Sequence, residues 1–264
     1  VRNFIREKRI YCGPEHLEVD IYQITEAHLN RKGKRSKKRK ESLPKQKNLN
    51  EKMAKRKIRQ MANSNFTQND IMATYTYLKK IEPKTLEEAL EDRRKLIERL
   101  KYHMDKLGIE LKYIAVTEYG GTEEEPSNIH HHIILNKGLD RDKIEDLWST
   151  GRGKKRKKLG TANTKRLQLD EAGLAKIAGY IVKKPEGKKR WTTSQNLERP
   201  ESRCNDHKYS RRDIIKASLY QDRESIYKKY PGYEPIDYDN GFNAVYNEYT
   251  GWSIYLRLRR KGSG

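Results

Sequence analysis

The chain has no apolar run approaching the roughly 18 residues that a membrane-crossing helix needs. Its first residues carry no secretory pattern, so a cytoplasmic protein that does not bind membranes is expected. Cysteine is almost missing. Only Cys12 and Cys204 occur, too far apart for a cysteine-built metal site and consistent with a reducing compartment. There is no GxxxxGK[ST] loop, so any unwinding of nucleic acid needs a separate helicase. The HExxH helix of many zinc hydrolases is also missing, as is any internal repeat. Acidic charge falls short of basic: 37 Asp and Glu against 59 Lys and Arg, a formal net charge of +22. Hydrophobic residues make up 34% of the chain and charged ones 36%. At 264 residues the chain is still long enough for one large domain or a domain with an appendage.

What is present points to a polyanion. So large an excess of positive charge fits nucleic acid better than a merely solvated surface. The excess is densest from Asn30 to Arg59, "NRKGKRSKKRKESLPKQKNLNEKMAKRKIR". This reads as an exposed arm, disordered at least to Leu49, that contacts phosphates without reading sequence. Before it, "KRIYCG" and "LEVDIYQI" read as strands around the turn "GPEH".

After the arm the pattern becomes regular. "DIMATYTYLKK" reads as a strand, and "TLEEALEDRRKLIERLKYHMDKLG" as a helix with its stripe on Leu86, Leu90, Leu96, Ile97 and Leu100. "IELKYIAVTEYG" and "NIHHHIIL" follow as strands, then a short helix "DRDKIEDLWS", a strand "GTANTKRLQLD" and a helix "DEAGLAKIAGYIVKK". This order predicts an α+β fold, a central antiparallel sheet flanked by helices with extra N- and C-terminal elements. The expected segments are residues 1–64, strands plus basic arm; 65–200, the main domain; and 201–264, a C-terminal extension. In the extension "RRDIIKASLYQDRESIYKKY" suggests a helix and "WSIYLRLRR" alternates.

Three consecutive histidines in "AVTEYGGTEEEPSNIHHHIIL" (115–135) need a reason. Side chains alternate along a strand, so His130 and His132 share one face and His131 takes the other. If this strand pairs with the preceding one as a hairpin centred near Glu124, Glu118 falls opposite His130. Two imidazoles and a carboxylate on one face could hold a divalent cation and leave room for a phosphate. Solvent-facing or hydrogen-bonded core histidines would look the same. Glu123, Glu124 and Glu125 rank below Glu118 because they sit at the turn tip.

In "AGLAKIAGYIVKK" a helix would put Tyr180, Lys183 and Lys184 on one face. Two cations make the phenolate more accessible and can hold a phosphodiester beside it. The alternative is an aromatic residue of a buried helix face with outward-reaching lysines.

Taken in order, "MATYTYL", "VTEYGG", "IHHHIIL" and "GYIVKK", followed by "KKRWTTSQNLERP", resemble the HUH endonuclease superfamily. Within it they are most similar to rolling-circle replication initiators of plasmids and single-stranded-DNA phages. The resemblance covers Asn65 to about Pro200. It implies that Glu118, His130 and His132 bind Mn²⁺ or Mg²⁺, that Tyr180 is the nucleophile, and that Lys183 assists it. His131 stands where the family usually has a large apolar residue. Lysines occupy 176 and 184, so a single-tyrosine enzyme is implied. The reaction implied is nicking and rejoining of single-stranded origin DNA, with a hairpin as a candidate substrate, through a 5′-phosphotyrosine intermediate. A separate helicase and polymerase, and a bacterial host, go with it. Lys154, Arg156, Lys184, Arg190 and Trp191 are the expected DNA contacts. The competing readings are a single-tyrosine transposase or relaxase, a DNA-binding module with an inactive site, and a zinc hydrolase.

Overall fold

A computed structural model describes residues 3–26, 44–122, 124–151, 153–169, 173–174, 191–236 and 241–262. The chain divides into two compact units. One combines Val1–Met53, Asp170–Gly173 and Arg199–Gly264; the other combines Ala54–Leu169 and Leu174–Glu198.

In the terminal unit, β1 (Asn3–Cys12) and β2 (His16–Thr25) form a hairpin. The C-terminal segment completes the same sheet. β10 (Glu201–Asn205) adds to β1, and β13 (Gly251–Arg260) adds to β2. β11 (Tyr233–Pro235) and β12 (Phe242–Asn247) both pair with β13. The first and last segments, read separately from the sequence, therefore share one sheet. The expected C-terminal helix is two, α4 (Arg211–Leu219) and α5 (Arg223–Tyr227). Ser210 starts α4 with a reciprocal capping box to Asp213. Ile214, Ala217 and Ile226 pack with Val19, Ile21, Ile254 and Leu256 in this unit's core.

The middle unit is built on a five-stranded sheet. Its strands are β3 (Ile71–Tyr77), β4 (Tyr113–Gly121), β5 (Pro126–Leu135), β8 (Gly160–Arg166) and β9 (Thr192–Thr193). They lie in the order β8–β3–β5–β4–β9. All pairings between them are antiparallel, in line with the expected α+β class. α2 (Leu86–Asp105) begins at Thr85, whose hydroxyl accepts from the Glu88 N–H. It buries Ala89, Arg93, Leu96, Leu100 and Met104 against the odd-numbered side chains of β3, β4 and β5. The short helix α3 (Arg141–Asp146) adds Ile144 to that layer, and Trp148 follows it.

Part of the expected arm is ordered. Helix α1 runs Pro44–Asn65, where the sequence reading expected disorder to Leu49 and an arm to Arg59. Ile58, Ala62 and Phe66 recur every fourth residue and pack against Ile114, Val116 and Ile134 on the other face of the sheet. Burying such a stripe stabilises the helix, while its many lysines and arginines cover the outer side. The rest of the arm, residues 27–43, lies outside the described residues.

Gly160 opens β8 where it runs hard against β3. A Cβ there would collide with the Thr76 carbonyl oxygen and lie 2.8 Å from the Tyr77 Cα, both backbone atoms. Gly160→Ala is expected to displace the start of β8 and cost about 1–3 kcal/mol, as overpacking does. Chemical denaturation would measure it, and an unchanged midpoint would contradict the close approach.

Candidate active site

The hairpin of β4 and β5 sets the site. At its tip Gly120 pairs with Ser127 and Gly121 with Pro126; a bulge between Glu118 and Gly120 then brings Glu118 opposite His130. Thr74 and Thr76 of β3 pair with His132 and His130 from the other side. Alternation therefore gathers Thr74, Thr76, Glu118, His130 and His132 on one face. The apolar half of that face, Ile114, Val116 and Ile134, packs against α1.

His132 is buried, at 2% exposure, and its Nε2 lies 3.1 Å from a Glu118 carboxylate oxygen. Its Nδ1 lies 3.2 Å from the Thr74 hydroxyl, and the Nδ1 of His130 lies 2.9 Å from the Thr76 hydroxyl. The two rings stand 6.4 Å apart between centroids. A carboxylate only accepts, so Nε2 of His132 donates to Glu118, and the Thr74 hydroxyl donates to Nδ1. A hydroxyl can rotate, so it can also accept from Nδ1–H when Nε2 must offer a lone pair to a metal. Thr74 and Thr76 were missed as site residues in the sequence. The period-two "TYTY" beside the histidine strand is the signal that could have found them.

Among the described residues no three His, Cys, Asp or Glu side chains gather so as to hold a metal ion. The chemistry of the donors nevertheless fits one. Two ligands each about 2.1 Å from an octahedral ion and at right angles are about 3 Å apart, close to the 3.1 Å between His132 and Glu118. With His130 on the same face, the set is two imidazoles and one carboxylate, suited to a hard or intermediate divalent cation.

The opposite face locks the register. His131 is fully buried, with its Nδ1 2.9 Å from the Thr117 hydroxyl and its Nε2 3.0 Å from the Tyr77 hydroxyl. The Arg93 guanidinium donates to Thr117 at 2.7 Å. Trp148 packs edge-on against His131 and Tyr77, and its indole donates to the Thr76 carbonyl at 3.1 Å. A one-residue slip would exchange this aromatic layer for His130 and His132.

Burial pushes the His131 imidazole well below its usual 6.5, and Arg93, His132 and His130 push it the same way. Burial also lowers the Arg93 guanidinium to about 10. The unfolded chain therefore binds the His131 proton below pH 6.5 while the folded chain does not. Stability is full above that pH and falls as pH drops through it, by up to about 1.4 kcal/mol per pH unit for this one group. Denaturation midpoints from pH 7.5 to 5 should show the decline, and His131→Phe should flatten it. An equal decline in both proteins would remove His131 as its source.

The basic hairpin beside the site is formed by β6 (Ser149–Thr150) and β7 (Lys157–Lys158). It leads into β8, where Thr161 pairs with Thr76, the partner of His130. Lys154, Lys155, Lys157 and Lys158 are exposed on it. Arg156 instead ties the hairpin down, donating to the Ser149 hydroxyl at 2.9 Å and pairing with Asp146 at 2.8 Å. Trp191 is partly buried against the cluster of Ile58, Ile114 and Leu197, a packing position. Tyr180, Lys183, Lys184, Arg190 and Glu123 lie outside the described residues. Both cysteines are free thiols. No helix among the described residues is long and apolar enough to cross a membrane.

Residues 70–188 match the family model of the replication-associated protein ORF2. The matched span is a little under half of the chain and includes Glu118, the histidines, Tyr180 and Lys183. It supports a replication initiator-type protein with DNA as its partner. No curated protein and no solved structure matches the chain significantly.

Proposed function

We propose that the protein starts rolling-circle replication by nicking and rejoining single-stranded origin DNA, as a single-tyrosine HUH endonuclease. One observation carries the reading: Glu118, His130 and His132 share a sheet face, with Glu118 paired to His130 and in contact with His132. In this reading these three residues hold Mn²⁺ or Mg²⁺, which when bound polarises the scissile phosphate. Thr74 and Thr76 fix the imidazole rings through Nδ1. Tyr180 attacks phosphorus in line, forming an O–P bond. The bond to the 3′ oxygen breaks, and that oxygen leaves as a 3′-hydroxyl once it is protonated. Lys183 offsets the charge that develops on the phenolate or phosphate. One diester replaces another, so the reverse attack rejoins the strand without an energy cofactor. A separate helicase and polymerase complete replication.

The test uses labelled single-stranded origin DNA with Mn²⁺, run on a denaturing gel. A protein-linked 5′ fragment supports the reading. DNA bound but uncut under every metal condition would make this a binding module. Cleavage without an adduct would favour a metallohydrolase.

The hairpin lysines are expected to hold phosphates on the way to the site. Replacing Lys154, Lys155, Lys157 and Lys158 with glutamine should weaken all single-stranded DNA alike. The salt slope should fall by about 0.7 for each lost phosphate contact. A titration with an unchanged slope but an altered preferred nick site would contradict this.

A further inference from the structure

The terminal unit has its own cluster of exposed apolar side chains. Leu219 and Tyr246 are more than half exposed, at 57% and 58%, and Tyr220 and Tyr249 at 76% and 93%. α4 and the β12–β13 hairpin enclose a groove of about 280 Å³, lined by Ile215, Leu219, Tyr246 and Trp252, with Arg211 and Gln23 also on its wall. Tyr246 and Trp252 pack as a tilted pair, 5.3 Å between ring centroids. The Arg211 guanidinium donates to Gln23 Oε1 at 3.0 Å. Arginine only donates, so the Gln23 oxygen faces it and the Gln23 amide NH₂ is turned away. The groove thus combines aromatic walls with a pair of side chains that offer N–H groups. Arg212 and Lys216 are exposed on the same helix, while its Asp213 is occupied by the cap and by Lys229.

We propose that this groove is a second DNA site, which takes one unstacked base of single-stranded DNA outside the nicking centre. Tyr246 stacks on the base, since every base has a π-face. Arg211 and Gln23 donate to its edge, which favours guanine, with acceptors at O6 and N7, over adenine, which replaces O6 by a donor. Charge decides between a polyanion and a second copy. A copy of this chain brings the same +22 and is repelled by Arg211, Arg212 and Lys216, whereas DNA phosphates are attracted. The inference rests on the DNA partner of the proposed function and not on its cleavage chemistry.

The experiment measures anisotropy of labelled oligo(dT) carrying one central dG or dA, with the full chain in EDTA, where metal-dependent nicking plays no part. The same oligonucleotides with iodouracil map the contact by photocrosslinking. Tyr246→Ala should weaken binding about tenfold and Tyr246→Phe should restore it. Arg211→Gln should remove the preference for dG over dA, and crosslinks should fall in the peptide holding Tyr246 and Trp252. Affinities within twofold of the parent for both Tyr246→Ala and Arg211→Gln, with no crosslink there, would overturn the site. So would self-association that Tyr246→Ala abolishes while DNA binding stays intact. If no covalent adduct ever forms but these results hold, the nicking reading fails and this site stands.

Discussion

Replacing His132 with alanine is expected to lower nicking about a thousandfold, whichever metal is supplied, while single-stranded DNA still binds. His132 is the best-held member of the site, buried between the Thr74 hydroxyl and the Glu118 carboxylate. Its loss takes away a ligand and leaves that carboxylate without its donor. His132→Gln, closer in volume, should fold normally and be equally inactive, which separates chemistry from stability. Thr76→Val should be milder, about 10- to 100-fold in metal affinity, because it removes only the group that orients His130. His131→Leu gives the contrasting outcome. It removes buried hydrogen bonds on the opposite face and should cost stability more than chemistry. An inactive His131→Leu beside an active His132→Ala would mean that the strand register is wrong by one residue.

The pairing of Glu118 with His130 could be read from the sequence because a hairpin is a local structure. Counting outward from the acidic turn places the two opposite each other, and the bulge near the tip does not disturb that pair. The faces of His130, His131 and His132 follow from alternation alone. Partners further away in sequence were not readable. Thr74 and Thr76 reach the histidines only through the pairing of β3 with β5. The buried Arg93 looks like one more surface cation in a charged helix until the Thr117 and His131 network behind the sheet is seen. Charge density hid the buried stripe of Ile58, Ala62 and Phe66 within the basic arm. The terminal sheet joins residues about 200 apart, such as Glu7 with Lys208 and Tyr230, which no local pattern announces.

The nucleophile is the residue on which the enzymatic reading stands. Tyr180→Phe keeps the ring and removes only the hydroxyl, so DNA binding should persist and covalent capture should vanish. Several other tyrosines are poor candidates. Burial raises the Tyr75, Tyr77, Tyr209 and Tyr230 phenols far above their usual 10, which keeps each protonated. Exposed tyrosines such as Tyr220 and Tyr249 have the access but lie outside the matched span 70–188. The most direct test is to trap the adduct on single-stranded origin DNA with Mn²⁺, digest the protein and sequence the nucleotide-bearing peptide by mass spectrometry. The expected result is a nucleotide on Tyr180, lost in Tyr180→Phe. A nucleotide on Tyr220 or any other tyrosine, or cut DNA with no linked peptide, would contradict it.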